Sequence, residues 1–169
     1  MNETTLDQVL TGRREARQDI VNVDEPEVKL VIFALGNDWF AFHGTCIREI
    51  LSHADVFFVP GCPPSLEGVI NVRGDIASVI RLHDMLHLPN GNAANSSILL
   101  GHGGGIESGI RVDHVVDVID VPQSSIQAPP ATQPEHMHSL TLGVLRFQEH
   151  PVTVLDLDAF FSGYARGLG

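Results

Sequence analysis

The stretch GVINVRGDIASVIRLHDML, residues 68–86, lies over GVLRFQEHPVTVLDLDAFF, residues 143–161, at a constant offset of 75 and without a gap. Gly68 meets Gly143, Val69 meets Val144, Ile70 meets Leu145, Val79 meets Val154, Ile80 meets Leu155 and Leu82 meets Leu157. An earlier segment, IREIL at 47–51, lies over VVDVI at 115–119 at an offset of 68, and the Pro-rich stretch near residues 128–138 absorbs the difference. A chain of 169 residues that repeats itself this way is built from two small units of one design.

Each copy reads as short strands separated by turns. VKLVIFAL, the turn GND and WFAFHG form one hairpin, and GVINV, an Arg-Gly-Asp turn and IASVI form a second. CIREILSH fits a helical turn or a strand, and VFFVPGCPP ends as a loop. RLHDMLHL has helical spacing with Leu82, Met85 and Leu86 on one side, and PNGN ends it. SSILLGH and IESGIRV flank a glycine turn, HVVDVIDV alternates apolar and polar residues, and LTLGVLRF and PVTVLDL form a last hairpin around QEH. DAFFSGYARG closes as a short helix. QAPPATQPEHMHS reads as a loop in which His136-Met137-His138 is simply solvated. Many short strands in small units predict a mainly β fold of two small barrels, whose closure removes exposed edges.

The copies agree at apolar positions and differ at the hairpin tip. Arg73, Gly74 and Asp75 stand where the second copy has Gln148, Glu149 and His150. Shared residues build the fold, so the variable tip is free to carry function. Arg73 on a turn tip is a candidate interaction residue, because arginine is enriched at binding hot spots. Glu49 is a second, since it interrupts the apolar stretch CIREIL.

Other chemistries find less support. The chain carries 21 acidic against 10 basic residues, a net charge of −11, with Lys29 its one lysine. Phosphate backbones and anionic membranes need clustered Lys and Arg, so neither nucleic acid nor a membrane surface is an expected partner. No apolar run reaches the roughly 18–20 residues of a spanning helix. The beginning, MNETTLDQVL, has no basic and apolar leader pattern, and Cys46 and Cys62 form no CxxC. A reduced, cytoplasmic setting is expected. Residues 1–27 are set apart as an extension, either a short amphipathic helix carrying Leu6, Val9 and Leu10 or a mobile tail. His83 and His87 in HDMLH brush the HExxH zinc pattern, with Asp84 in the place of Glu. A metal-dependent enzyme on these two residues is the distant alternative, as it lacks a third ligand. GHGGG at 101–105 resembles an oxyanion loop, but the chain has no GxSxG nucleophile elbow. No metal, cofactor or catalytic residue is assigned.

GVINVRG followed by VIRLHDML, with IREIL and VPGCPP before it, resembles the CheW family of chemotaxis coupling proteins. GIRVDHVVDVIDV and TLGVL…PVTVLDLDAFF resemble that family's later segments, and the likeness covers residues 28–163. It implies two SH3-like five-stranded β-barrel subdomains in tandem, about 28–91 and 92–156, with strands exchanged between them and a closing helix at 157–165. It implies no enzymatic activity. It implies an adaptor that couples a CheA-type histidine kinase, through that kinase's regulatory domain, to the cytoplasmic tips of methyl-accepting chemoreceptors in arrays at the inner membrane. Carried over, the receptor-binding candidates are Ile47, Glu49 and Arg73, with Val69 and Val72 lining the region. The resemblance leaves the kinase-contacting residues unassigned. Ser78 and Arg81 depart from the family's usual Pro and Asp after the RG turn, a reversal of charge at Arg81. That departure raises the alternative of a regulatory module in a pilus or gliding system that competes or inhibits rather than couples.

Overall fold

The computed structural model describes residues 25–89 and 96–168. The expected N-terminal helix or tail, and most of PNGN, lie outside the described residues.

Among the described residues ten strands and three short α-helices follow one another: β1 (Glu27–Leu35), β2 (Asp38–His43), β3 (Ile47–Leu51), β4 (Leu66–Val72), β5 (Asp75–Arg81), α1 (Leu82–Met85), β6 (Ser97–Gly103), β7 (Ile106–Val112), β8 (His114–Pro122), α2 (Glu135–His138), β9 (Thr141–Phe147), β10 (His150–Leu155) and α3 (Leu157–Leu168). Single 3-10 turns at Gly44–Cys46 and Gln123–Ser125 precede β3 and follow β8. CIREIL thus resolves as a turn running into a strand.

The strands form two five-stranded sheets, β8-β1-β2-β10-β9 and β3-β6-β7-β5-β4. The orders are equivalent element by element, so the repeat is structural as well as sequential. In each sheet the two hairpins meet along one parallel pair, β10 with β2 and β5 with β7. The fold is therefore mainly β and built as two copies of one five-stranded design. A split at residues 91 and 92 is not a sheet boundary. The β1–β2 hairpin belongs with β8, β9 and β10, while β6–β7 belongs with β3, β4 and β5. The physical reason is reach: each hairpin extends the partner unit's sheet, and every interior strand finds two neighbours.

Each sheet curls toward a barrel and closes through one bridge instead of a full ladder. The chain after β3 returns so that Phe57 and Val69 exchange backbone hydrogen bonds of 2.8 and 2.9 Å. The chain after β8 does the same, with Gln127 and Val144 exchanging bonds of 2.8 Å.

The core has three parts. Leu30, Ile32, Ala41, Leu145, Val152 and Val154 fill the curl of the first sheet. Ile70, Val79 and Ile98 fill the second. The largest cluster lies between the sheets, where Phe33, Phe42, Leu99, Ile110, Val112, Leu155, Phe160 and Phe161 meet. Strand β1 explains its own composition: Leu30 and Ile32 face one core, Val31 and Phe33 the other, and all are buried. A strand covered on both faces must be continuously apolar, whereas β8, with no fully buried residue, carries His114, Asp117 and Asp120 among its apolar residues. Each fully buried aliphatic or phenyl side chain contributes about 1.5–3 kcal/mol.

The two units end differently. Asp156 caps α3, accepting the Ala159 N–H at 3.2 Å. Its counterpart Arg81 offers α1 no side-chain cap, and α1 lasts four residues. His83 and His87 therefore do not share a helical face. His83 is buried with its Nε2 3.1 Å from Asp113 Oδ1. His87 lies beyond the helix with φ +57 and stacks on His136, ring centroids 4.2 Å apart. Among the described residues no three potential ligands converge on a metal position. The Pro-rich stretch is also more structured than a solvated loop: it contains α2, Met137 is buried in the central core, and His138 Nε2 lies 2.7 Å from the Gln133 carbonyl oxygen.

Candidate docking site

The second sheet's β4–β5 hairpin carries Arg73 at its tip. Val72 pairs with Asp75, leaving Arg73 and Gly74 as a two-residue turn with φ of +52 and +92. Both residues lie in the left-handed region, the geometry that lets a tight turn follow the twist of its strands. Asn71 steadies it, its Oδ1 accepting the Gly74 N–H at 2.8 Å.

Glu49 arrives from β3, at the opposite border of the same sheet. The β3–β6 register shifts between Ile47 and Glu49, and the curl of the sheet brings β3 round to β4. Arg73 Nη2 then lies 2.7 Å from Glu49 Oε1. Arg73 is three-quarters exposed and Glu49 about one-quarter, at 76% and 26% of their side-chain surfaces. So exposed a pair adds at most about 1 kcal/mol to stability. Its effect is to hold a guanidinium upright at the seam of the sheet.

Two hollows flank the pair. One, of about 490 Å³, is bounded by Glu49, Leu51, His53, Phe57, Val72 and Arg73. The other, of about 260 Å³, is bounded by Arg48, Val72, Arg73, Ile76, Leu100 and Glu107. Val72 and Arg73 border both, and an Arg48–Glu107 ion pair of 2.9 Å closes the far side of the second. Glu49, Val72 and Arg73 are thus brought together. Ile47 is not among them; it packs against the central core. Val69 borders neither hollow, and its backbone is bridged to Phe57.

Sequence reading missed the exposed apolar residues at the hollows. Phe57 borders the first and Ile76 the second, 60% and 67% exposed, and Phe58 beside Phe57 is 76% exposed. The signal was present in the Phe57-Phe58 doublet, which sits in a loop where two phenyl rings have no strand face to bury. Ile76 gives no such signal, since it sits within an apolar run.

The departures at Ser78 and Arg81 are compensated locally. Ser78 Oγ lies 2.8 Å from Ser108 Oγ on the parallel neighbour strand. Arg81 lies 3.7 Å from Glu67, whose carboxylate also binds Arg111 at 2.8 Å.

Burial raises the Cys46 thiol above its ordinary range, reinforced by the Asp158 and Asp156 carboxylates and opposed by a Thr45 hydrogen bond. That is the opposite of an activated nucleophile. An exposed cation held at a seam between two hollows, one bordered by Phe57 and the other by Ile76, suits a protein partner, and the class so defined is a docking module. The CheW-like domain family describes residues 29–164. A chemotaxis protein CheW of Treponema pallidum is 30% identical over 149 residues, spanning 83% of this chain and 85% of the relative. One of Bacillus subtilis is 33% identical over 103 residues, spanning 60% and 66% respectively. The crystal structure of the scaffolding protein TtCheW from Thermoanaerobacter tengcongensis matches with a TM-score of 0.69 at 25% identity, over 78% of this chain and 90% of that one. The chain belongs to the CheW family.

Proposed function

We propose that this adaptor couples chemoreceptors to a CheA-type histidine kinase, with a receptor tip docking at the Arg73–Glu49 seam. The observation that carries the reading is the position of Arg73, held by Glu49 at 2.7 Å between two hollows, one bordered by Phe57 and the other by Ile76. An incoming carboxylate or carbonyl can engage the free edge of the guanidinium in a forked contact that lysine cannot reproduce. Val72 supplies apolar contact at the floor. Val69 and Ile47 support the site from behind, through the bridge and the core.

The kinase's regulatory domain is the second partner, on a surface the site does not define. No described helix is long and apolar enough to cross a membrane. A cytoplasmic protein recruited to receptor arrays at the inner membrane is the setting that fits the reading. Kinase activity, measured with receptor-containing membranes and increasing amounts of this protein, tests it. A rise that requires receptor supports coupling, and a fall identifies the competing or inhibiting module of a pilus or gliding system. No change, together with no calorimetric binding to the kinase regulatory domain, overturns the kinase assignment.

A further inference from the structure

A third hollow, of about 390 Å³, lies on the first sheet, with Trp39, His87, His136 and Met137 among its lining residues. Two ring stacks meet there. His87 lies on His136 with ring centroids 4.2 Å apart and planes 25° from parallel. Trp39 lies on His150 at 4.1 Å and 17°.

The histidine pair ties the two units together. His87 follows α1, on the connection between β5 and β6 of the second sheet, next to Leu86 in the central core. His136 belongs to α2, on the connection between β8 and β9 of the first sheet, next to Met137 in the same core. Among the described residues neither ring has an ion pair or a side-chain hydrogen bond. The other titratable or charged groups around the pair are Asp84 of α1, Glu135 and His138 of α2, Asp38 of β2, Arg146 of β9 and His150 of β10. Asp38 borders the hollow without pairing with either ring, and His138 Nε2 lies 2.7 Å from the Gln133 carbonyl oxygen. Asp84, Glu135 and Arg146 are exposed.

We propose that the His87–His136 stack is a pH-sensitive latch between the two units, closed while at most one ring carries a proton and opened when both do. Imidazole is the side chain whose ordinary change of charge falls between about pH 5 and 8. A neutral ring packs on a neutral or a charged one. Two imidazoliums would set like charges 4.2 Å apart with no carboxylate paired to either. That separation is well inside the roughly 8 Å over which physiological salt screens. His87 adds to the bias, because it is held at φ +57, a costly backbone for a residue other than glycine and of a kind that recurs in switch segments. The second stack responds the other way, since a protonated His150 is drawn to the indole face of Trp39 as a cation. Acid therefore opens one border of the hollow and holds the other. The latch does not depend on the receptor reading, as it uses none of the residues at the Arg73 seam.

The test is NMR on the full chain, with ¹³C-labelled histidine and tryptophan rings and ¹³C-labelled methionine methyls. At about pH 8 a nuclear Overhauser contact between the His87 and His136 rings is expected. At about pH 5 it should be lost and the Met137 methyl resonance should move, while the Trp39–His150 contact persists. In His136→Phe, which keeps a ring but not its charge, the Met137 methyl should hold its position over the same range. A ring contact absent at pH 8, or retained at pH 5, overturns the latch, and both are read on the unaltered chain should the variant fail to fold. Equal movement of the Met137 methyl in His136→Phe overturns it as well. Loss of the Trp39–His150 contact together with the other would show a general loosening in acid and overturns it too.

Discussion

Gly68 and Gly143 sit at the same seam of two different sheets. A β-carbon on Gly68 would run into the carbonyl oxygen of Phe57, and one on Gly143 would lie 2.6 Å from that of Gln127. Phe57 and Gln127 are the residues that bridge to Val69 and Val144, each the neighbour of its glycine. The shared glycine that begins both repeats thus has a steric cause: the chain that closes each sheet crosses directly over it.

Gly68→Ala and Gly143→Ala should each lower stability by about 1–3 kcal/mol, the usual cost of forcing atoms into a packed site. For a chain of this size that means a drop of several degrees in thermal midpoint, at about 2–4 °C per kcal/mol. A melt followed by circular dichroism checks it. An unchanged midpoint in either variant would show that its seam can open without cost.

Arg73→Glu should leave the melt within about 0.5 kcal/mol, as surface substitutions do. It should abolish receptor-dependent kinase activation, because it reverses the charge at the seam and sets two carboxylates against each other. Glu49→Arg combined with Arg73→Glu restores the pair but not the direction of the charge, so activation should stay low. Activation recovered in the double variant would mean that the ion pair, and not the outward guanidinium, is what a receptor requires.

Asp113 joins elements that the chain separates widely. One carboxylate oxygen accepts the Gly36 N–H of the β1–β2 turn at 2.5 Å, and the other lies 3.1 Å from buried His83 of α1. Asp113→Ala strands buried His83 while the exposed Gly36 N–H turns to water, and should cost about 1–3 kcal/mol, from the one unsatisfied buried group. Asp113→Asn keeps an acceptor and should cost less. Denaturant midpoints rank the two, and the reverse order would assign the stabilisation to something other than these contacts.

Cys46 makes stability depend on alkaline pH. Burial, the larger cause, holds its thiol above the ordinary range. The unfolded chain then loses that proton first, so the stabilising contribution is complete below the ordinary thiol range and declines as pH rises through the raised value. Alkylation of Cys46 by iodoacetamide, followed by mass spectrometry, should become fast only at a higher pH than for a free thiol in a short peptide. A profile matching the peptide's would contradict the burial.

Glu67 shows where sequence reading stops. Arg81 stands out because it breaks a familiar pattern, and on sequence grounds it points toward an altered partner. In the folded chain its charge is met by Glu67, which also binds Arg111 from β7. The three residues converge because β5 is paired with both β4 and β7, and nothing local announces the parallel β5–β7 contact. The place of Ile76 at the docking site was hidden for the same reason. Exposure of Ile76 depends on which strand fails to cover it. The Arg73–Glu49 pair was legible as two separate charges in apolar surroundings, not as one contact.

The sequence by itself determined the repeat, the strands and the turns. Those properties are local: side-chain alternation, β-branched content, and residues that permit a left-handed backbone between strands. It also determined that the tips at Arg73 and Gln148 would differ while the frame around them agreed. Only the tertiary structure decided which strands share a sheet, because β1–β2 and β6–β7 are each as apolar and as well formed in one sheet as in the other. Pairing across tens of residues is chosen by the cores that must be filled on both faces of β1 and by the seams at Gly68 and Gly143. That choice carries β3 round to β4 and sets Glu49 against Arg73.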